Sequence, residues 1–340
     1  MKAVRVWPGR GVEVVDVPRP AIQEPTDAIL RITAAAICGS DIHAKNGHIP
    51  GIKPGSILGH EFVGVVEEVG PAVRRLRPGD RVTAPPAFWC GSCPECRRGE
   101  PHHCRYGGVY GEHVQGAQAE YLRLINADIT ASRIPDSVSD EEAVLVPDVF
   151  QTGFHAAYEA RVSPGDTVVI YGVGPIGIGA VISSLIMGAS RVYAVDLVPF
   201  RLQVAKEYGA VPIDAREEDP VEVVRRDTGV GADAAIEAAG STAALSNAVR
   251  SVRRGGRVSV VGLFHEPFVL PMQDLSFYGI TISAGLAHIG RVDQLMRLVE
   301  DGRVRLSRLI THRFPLERAP EAYEVAEKRK DEVLKVLLKP

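Results

Sequence analysis

A short apolar run, Thr167-Val168-Val169-Ile170-Tyr171, leads into Gly172-Val173-Gly174-Pro175-Ile176-Gly177 and then into a second apolar stretch through Met187. The first run, rich in β-branched residues, reads as a buried strand, and the second as a helix. Three glycines at a strand-to-helix junction leave few folds open. The first permits the tight turn, the second lets backbone approach an anion, and the third lets helix and strand pack closely. The helix N-terminus, at Pro175 and Ile176, adds free N–H groups and the positive end of its dipole. The pattern therefore predicts a pyrophosphate-binding site for a dinucleotide. Taken alone it also fits a flavin, an S-adenosyl group or a glycine-rich turn that binds nothing. Asp196, nineteen residues after Gly177, closes the next strand. There its carboxylate can accept hydrogen bonds from a ribose 2′-hydroxyl and would repel a 2′-phosphate, which favours NAD over NADP. Arg201 is then expected along the ribose or adenine.

From Gly165 onward strands and helices alternate. The expected strands are 167–171, 191–195, 211–213, 232–237 and 257–261, with helices over 201–208, 220–227 and 243–252 between them. This rhythm predicts a parallel sheet with helices on both faces. The first 130 residues read differently, as short Val- and Ile-rich strands punctuated by Pro and Gly. A helix is expected to start near Pro135, capped by Ser137 or Ser139, and to continue with a break past Pro147 to about Ala160. Helices near 291–300 and 317–328 and a strand over 333–338 close the chain. That last strand has no βαβ partner and is expected to return to the first domain. The basic runs Arg74-Arg75-Leu76-Arg77 and Arg253–Arg257 read as solvated turns.

Five cysteines are present, and Cys90, Cys93, Cys96 and Cys104 lie within fifteen residues as C-x2-C-x2-C-x7-C. Four thiolates at this spacing can converge on one tetrahedral zinc, leaving no open position, so the site reads as structural. An iron–sulfur cluster and a nucleic-acid-binding zinc ribbon share such spacing. The ribbon is disfavoured by a net charge of −3 and by only Arg97 and Arg98 as local basic surface; those two arginines are expected to offset thiolate charge. Cys38 stands apart, in Cys38-Gly39-Ser40-Asp41-Ile42-His43, with Gly59-His60-Glu61 some twenty residues later. Alone, Cys38 reads as a small core residue and His60 as a satisfied core histidine. Together with the neighbouring carboxylates they are the ligand types of a catalytic zinc, which keeps three protein ligands and one exchangeable position. His48, His102, His103, His113, His265, His288 and His312 read as surface or packing residues.

These segments, with Gly79-Asp80-Arg81-Val82, together resemble the zinc-dependent medium-chain alcohol dehydrogenase family over nearly the whole chain. Val146-Pro147-Asp148-Val149-Phe150-Gln151-Thr152-Gly153-Phe154-His155 is similar to the bacterial secondary-alcohol branch, where an aspartate completes the catalytic zinc set. The resemblance implies a GroES-like β-barrel catalytic domain formed by residues 1–150 and 290–340, and a Rossmann NAD-binding domain over 151–289. It implies Cys38, His60 and Asp148 as catalytic zinc ligands, and Glu61 as the carboxylate that can approach or replace one of them. Asp41 would orient His60, Ser40 and His43 would form a proton relay, Thr152 would face the nicotinamide, and Lys335 would lie near the cofactor. With the four-cysteine site this makes two zinc ions per chain, Asp196 makes NAD the expected cofactor, and the resemblance implies a dimer or tetramer.

A secondary alcohol or its ketone is the expected substrate. Polyol, sugar and threonine dehydrogenases of the superfamily, and a catalytically silent dinucleotide-binding protein, are the alternatives. The neutral charge gives no drive toward nucleic acid or anionic membrane. No apolar run reaches the roughly 18 residues of a spanning helix, and the N-terminus lacks signal-peptide anatomy. The expected location is the cytoplasm.

Overall fold

Six runs between Thr167 and Ala284 form one parallel sheet in the computed structural model, which describes residues 1–328 and 332–340. In chain order the strands are Thr167–Tyr171, Arg191–Asp196, Val211–Asp214, Ala232–Glu237, Val252–Val260 and Thr281–Ala284. Across the sheet the order is third, second, first, fourth, fifth, sixth. This is Rossmann topology, with the order reversing between Thr167–Tyr171 and Ala232–Glu237; ligands of such sheets bind beyond the strand C-termini at that reversal. Val169, Tyr171, Tyr193, Ala235 and Val258 fill one side of the sheet's core.

Two strands of this sheet differ from the sequence reading. The fifth strand begins at Val252 rather than Arg257, running through Arg253 and Arg254. Two of its arginines are paired: Arg253 Nε lies 2.7 Å from Asp233, and Arg257 Nη2 lies 2.8 Å from Asp166, while Arg254 is exposed. The sixth strand, Thr281–Ala284, has no buried residue to mark it.

The chain divides into two compact units, Met1–Asp148 with His288–Pro340, and Val149–Ala287. In the first unit, Ala28–Ile37 is the central strand. It pairs antiparallel with Glu61–Val69 and with the last strand, Lys335–Lys339. The C-terminal segment thus returns to the first domain. Its other neighbour is Ile310–Pro315, a strand the sequence reading did not include. Burial alternates only weakly along that strand, which explains the omission. The buried carboxylate of Glu142 fastens the segment further by accepting from Leu306 N at 2.6 Å and Ser307 N at 3.1 Å.

The expected helix after Pro135 is three pieces. Ser139 Oγ accepts from Glu142 N at 3.2 Å and caps Asp140–Ala143. A π-helical turn follows over Val146–Phe150, and then a helix over Gln151–Glu159. Pro147 lacks the N–H that a regular ladder needs, and π turns are frequent at functional sites.

Candidate active site

Strand register explains why distant residues meet. Ala36 pairs with Glu61, and Ile37 pairs with Val336. The central strand therefore ends where its two neighbours begin. Cys38 follows that end, His60 precedes Glu61, and Lys335 opens the last strand. Asp148 enters from the π turn. One ligand atom each from Cys38, His60, Glu61 and Asp148 lie within 4.8 Å of one another. Cys38 Sγ is 3.5 Å from Asp148 Oδ2, and His60 Nε2 is 3.8 Å from the same oxygen.

The site is buried and short of positive charge. Burial raises the Cys38 thiol, and Asp148 adds to the rise. Burial disfavours a charged His60, but hydrogen bonds with Asp148 and Cys38 outweigh it and hold the imidazole well above its ordinary range. Burial likewise pushes Glu61 up to about 7, although Lys335 opposes the shift. Asp148 goes the other way: despite burial, His60 holds it well below the usual carboxylate range. A soft sulfur, an imidazole nitrogen and carboxylate oxygens around one point are the donor set of zinc. Glu61 Oε2, buried and without a hydrogen-bond partner among the described residues, is a further donor that a cation would satisfy.

Lys335 was expected near the cofactor. Its ammonium, 3% exposed, lies 2.5 Å from Glu61 Oε1 and 3.4 Å from the Ile37 carbonyl. Nothing in the local sequence marks this pairing, since a lysine opening an apolar strand reads as its solvated end. Asp41 is buried, with Oδ1 4.0 Å from His60 Nδ1 and Oδ2 accepting from Cys38 N at 2.9 Å. Ser40 and His43 lie three residues apart on the helix Gly39–Lys45, which places them on one face.

The four-cysteine lobe also lies in the first unit. One Sγ from each of Cys90, Cys93, Cys96 and Cys104 meets within 4.8 Å. Cys93 caps the short helix Pro94–Arg97. Against slight burial, donors from Ser92 and from Cys93 N–H pull the Cys90 thiol down to about 6. Burial and hydrogen bonds with Cys93 and Cys104 push Cys96 up to about 12. A divalent metal held by four sulfurs would bind them as thiolates. Beside the lobe, Arg98 pairs with Glu100 at 3.2 Å.

In the second unit the glycine turn has the geometry its spacing suggested. Gly172 adopts φ +84°, and a Cβ on Gly177 would lie 1.9 Å from the Gly172 carbonyl oxygen. In front of Gly174, the N-cap of the helix Pro175–Ile186, a Cβ would meet nothing within 4 Å. Backbone there is open to an anion. Asp196 Oδ2 accepts from Val173 N at 2.9 Å, and Oδ1 accepts from Leu197 N at 2.7 Å. Arg201 lies 3.8 Å from the same carboxylate. Thr152 sits in the first turn of the helix Gln151–Glu159.

Comparison with known proteins agrees with this division. The family model for the alcohol dehydrogenase GroES-like domain matches residues 24–136, and that for zinc-binding dehydrogenases matches residues 175–301. A probable zinc-binding alcohol dehydrogenase of Mycobacterium tuberculosis is 38% identical over the whole chain and 89% of its own length. The chain belongs to the zinc-type medium-chain alcohol dehydrogenase family. Another relative, a sorbitol dehydrogenase of Bacillus subtilis, is 35% identical over all of this chain and 97% of its own. The solved alcohol dehydrogenase from Thermus sp. ATN1 is 41% identical, with a TM-score of 0.95 over 100% of this chain and 99% of that one. As a zinc-type alcohol or polyol dehydrogenase the protein is an oxidoreductase, with a GroES-like unit and a Rossmann unit. No helix among its described residues is long and apolar enough to cross a membrane.

Proposed function

We propose that the protein transfers hydride between a secondary alcohol, or its ketone or aldehyde, and NAD, using two zinc ions per chain. The meeting of Cys38, His60, Glu61 and Asp148 in a buried site carries this reading. Cys38, His60 and Asp148 would hold the catalytic zinc with one position open, and Glu61 is near enough to approach it. Zinc there would supply the Lewis acidity that makes an alcohol hydroxyl easier to deprotonate, and NAD the hydride acceptor. Ser40 takes the hydroxyl proton, and His43 releases it, an imidazole being suited to that role near neutral pH. The turn Gly172–Gly177 binds pyrophosphate, Asp196 accepts from the adenosine ribose with Arg201 beside it, and Thr152 faces the nicotinamide. Lys335 serves as the counter-charge of Glu61. The four-cysteine lobe holds the second, structural zinc.

The segment 146–155 supports a secondary alcohol as substrate. The sorbitol dehydrogenase relative favours a polyol as a second reading. A second copy of the chain is the proposed partner, in a dimer or tetramer, and the cytoplasm the proposed location.

A panel of secondary alcohols, ketones and polyols, assayed with NAD and NADP in parallel, tests the proposal. Turnover of secondary alcohols with NAD supports it, polyol turnover alone shifts it to the second reading, and no turnover with either cofactor removes it. Asp196→Gly should lower the NAD-to-NADP ratio of kcat/KM by about tenfold or more, the worth of hydrogen bonds to a charged group. An unchanged ratio would remove Asp196 from cofactor selection.

A further inference from the structure

A buried polar chain runs from His60 to the last helix of the molecule. Its first member is Asp41, 3% exposed, whose Oδ1 lies 4.0 Å from His60 Nδ1, an ion-pair rather than a hydrogen-bond separation. Asp41 Oδ2 accepts from Gln118 Nε2 at 3.0 Å. Gln118 is fully buried, and its Oε1 accepts from the Tyr323 hydroxyl at 2.7 Å. Tyr323, 1% exposed on the helix Ala319–Lys328, stands in an apolar cluster with Ile37, Ile42, Leu58, Leu316 and Val336. A polar pair in such a place costs free energy unless every group is matched.

Gln118 is the pivot, because an amide has a donor end and an acceptor end. The Tyr323 O–H donates to Oε1, which turns Nε2 toward Asp41. The reversed amide would set Gln118 Oε1 against the Asp41 carboxylate, two acceptors face to face. Burial and the charge of Asp41 hold the Tyr323 phenol well above its ordinary range, so it remains a donor. The backbone of Gln118 is fixed as well: its N donates to Leu58 O at 3.0 Å, and its O accepts from Val4 N at 2.8 Å. Gly59, at φ +97°, packs so closely that a Cβ would lie 2.6 Å from Gln118 Cγ. The amide thus also buttresses the residue before His60.

We propose that Tyr323 and Gln118 are positioning residues for the metal site: by fixing the amide they fix Asp41, and Asp41 fixes the His60 ring with Nε2 toward the zinc. The proposal rests on the metal-site reading above and extends it to the helix Ala319–Lys328.

Zinc release to an excess of chelator tests it, with zinc counted per chain, in wild type, Tyr323→Phe, Asp41→Asn and the double variant. Wild type should hold two zincs. Tyr323→Phe should release the Cys38-site zinc about tenfold faster, as loss of an outer-sphere partner does, with release from the four-cysteine lobe unchanged. The double variant should be no faster than Asp41→Asn, because the hydroxyl acts only through Asp41. Gln118→Met, which keeps the length and loses the amide, should match Tyr323→Phe and covers the case of poor folding in the latter. Unchanged release in both variants, equal acceleration at both zincs, or additive effects in the double variant would overturn the inference while leaving the metal site in place. A wild-type protein holding one zinc would overturn both.

Discussion

Cys90, Cys93, Cys96 and Cys104 come from one short lobe, whereas Cys38 and Asp148 are separated by 110 residues. Both centres lie in the GroES-like unit. The lobe sets four sulfurs around one point through tight turns and local N–H donors such as those of Ser92 and Cys93. The distributed centre depends on the register of three strands and on a π turn. Its donors are mixed, it is buried, and it carries a lysine–glutamate pair, while the lobe has only sulfur. The contrast suits the division of labour proposed above. A closed, uniform donor set can stabilise a loop, whereas a mixed set assembled by the whole unit can leave a position for a substrate.

That division can be broken most directly at Asp148. Asp148→Ala should lose the zinc of the distributed centre and lower kcat/KM on the order of 10³-fold, the rate equivalent of several kcal/mol of Lewis acid stabilisation. The four-cysteine zinc and dinucleotide affinity should persist; metal analysis, kinetics and a binding titration check each part. Asp148→Cys, which restores a ligand, should retain metal. An Asp148→Ala enzyme with two zincs and normal turnover would return this residue to a local role in the π turn.

The second effect is on stability. Lys335→Ala would leave Glu61 buried without its partner, and breaking a buried pair in this way costs about 3–5 kcal/mol. Chemical denaturation should show a loss of that order, smaller in protein loaded with zinc, where the metal offsets the carboxylate. An equal loss with and without metal would show that Glu61 does not face the metal.

The smallest effect on chemistry belongs to the lobe. Cys93→Ser should lose one zinc and lower the Tm on the order of 5 °C, while kcat of the folded, assembled protein stays within about twofold. Lost hydride transfer in a folded Cys93→Ser protein would place chemistry at the wrong centre.

How much of this was legible differs between the two centres for the same reason. The lobe could be read from C-x2-C-x2-C-x7-C because its geometry is local, and the glycine turn could be read because strand, turn and helix are contiguous. Cys38 and His60 could be grouped by ligand type alone, but Asp148 joined them only through family resemblance, since strand register is not written in any one segment. The pairing of Lys335 with Glu61 escaped because it joins the ends of two strands 274 residues apart in the chain. Gln118 and Tyr323 escaped because a lone polar residue among alanines, or an aromatic on an apolar helix face, reads as packing. Val146–Phe150 was legible only as a break at Pro147; the π turn that carries Asp148 has no sequence signature of its own.

Graded zinc removal from the wild-type protein, with zinc released and activity remaining measured in the same samples, tests the division most directly. Two zincs per chain should be present at the start. Activity should fall in proportion to the first zinc released and reach its floor while the second, held by four thiolates, is still bound; adding zinc should restore both together. Activity that survives loss of the zinc at Cys38, His60 and Asp148 and falls only with loss of the four-cysteine zinc, the two told apart by repeating the titration in Cys93→Ser, would contradict the account, because it would assign the chemistry to the lobe.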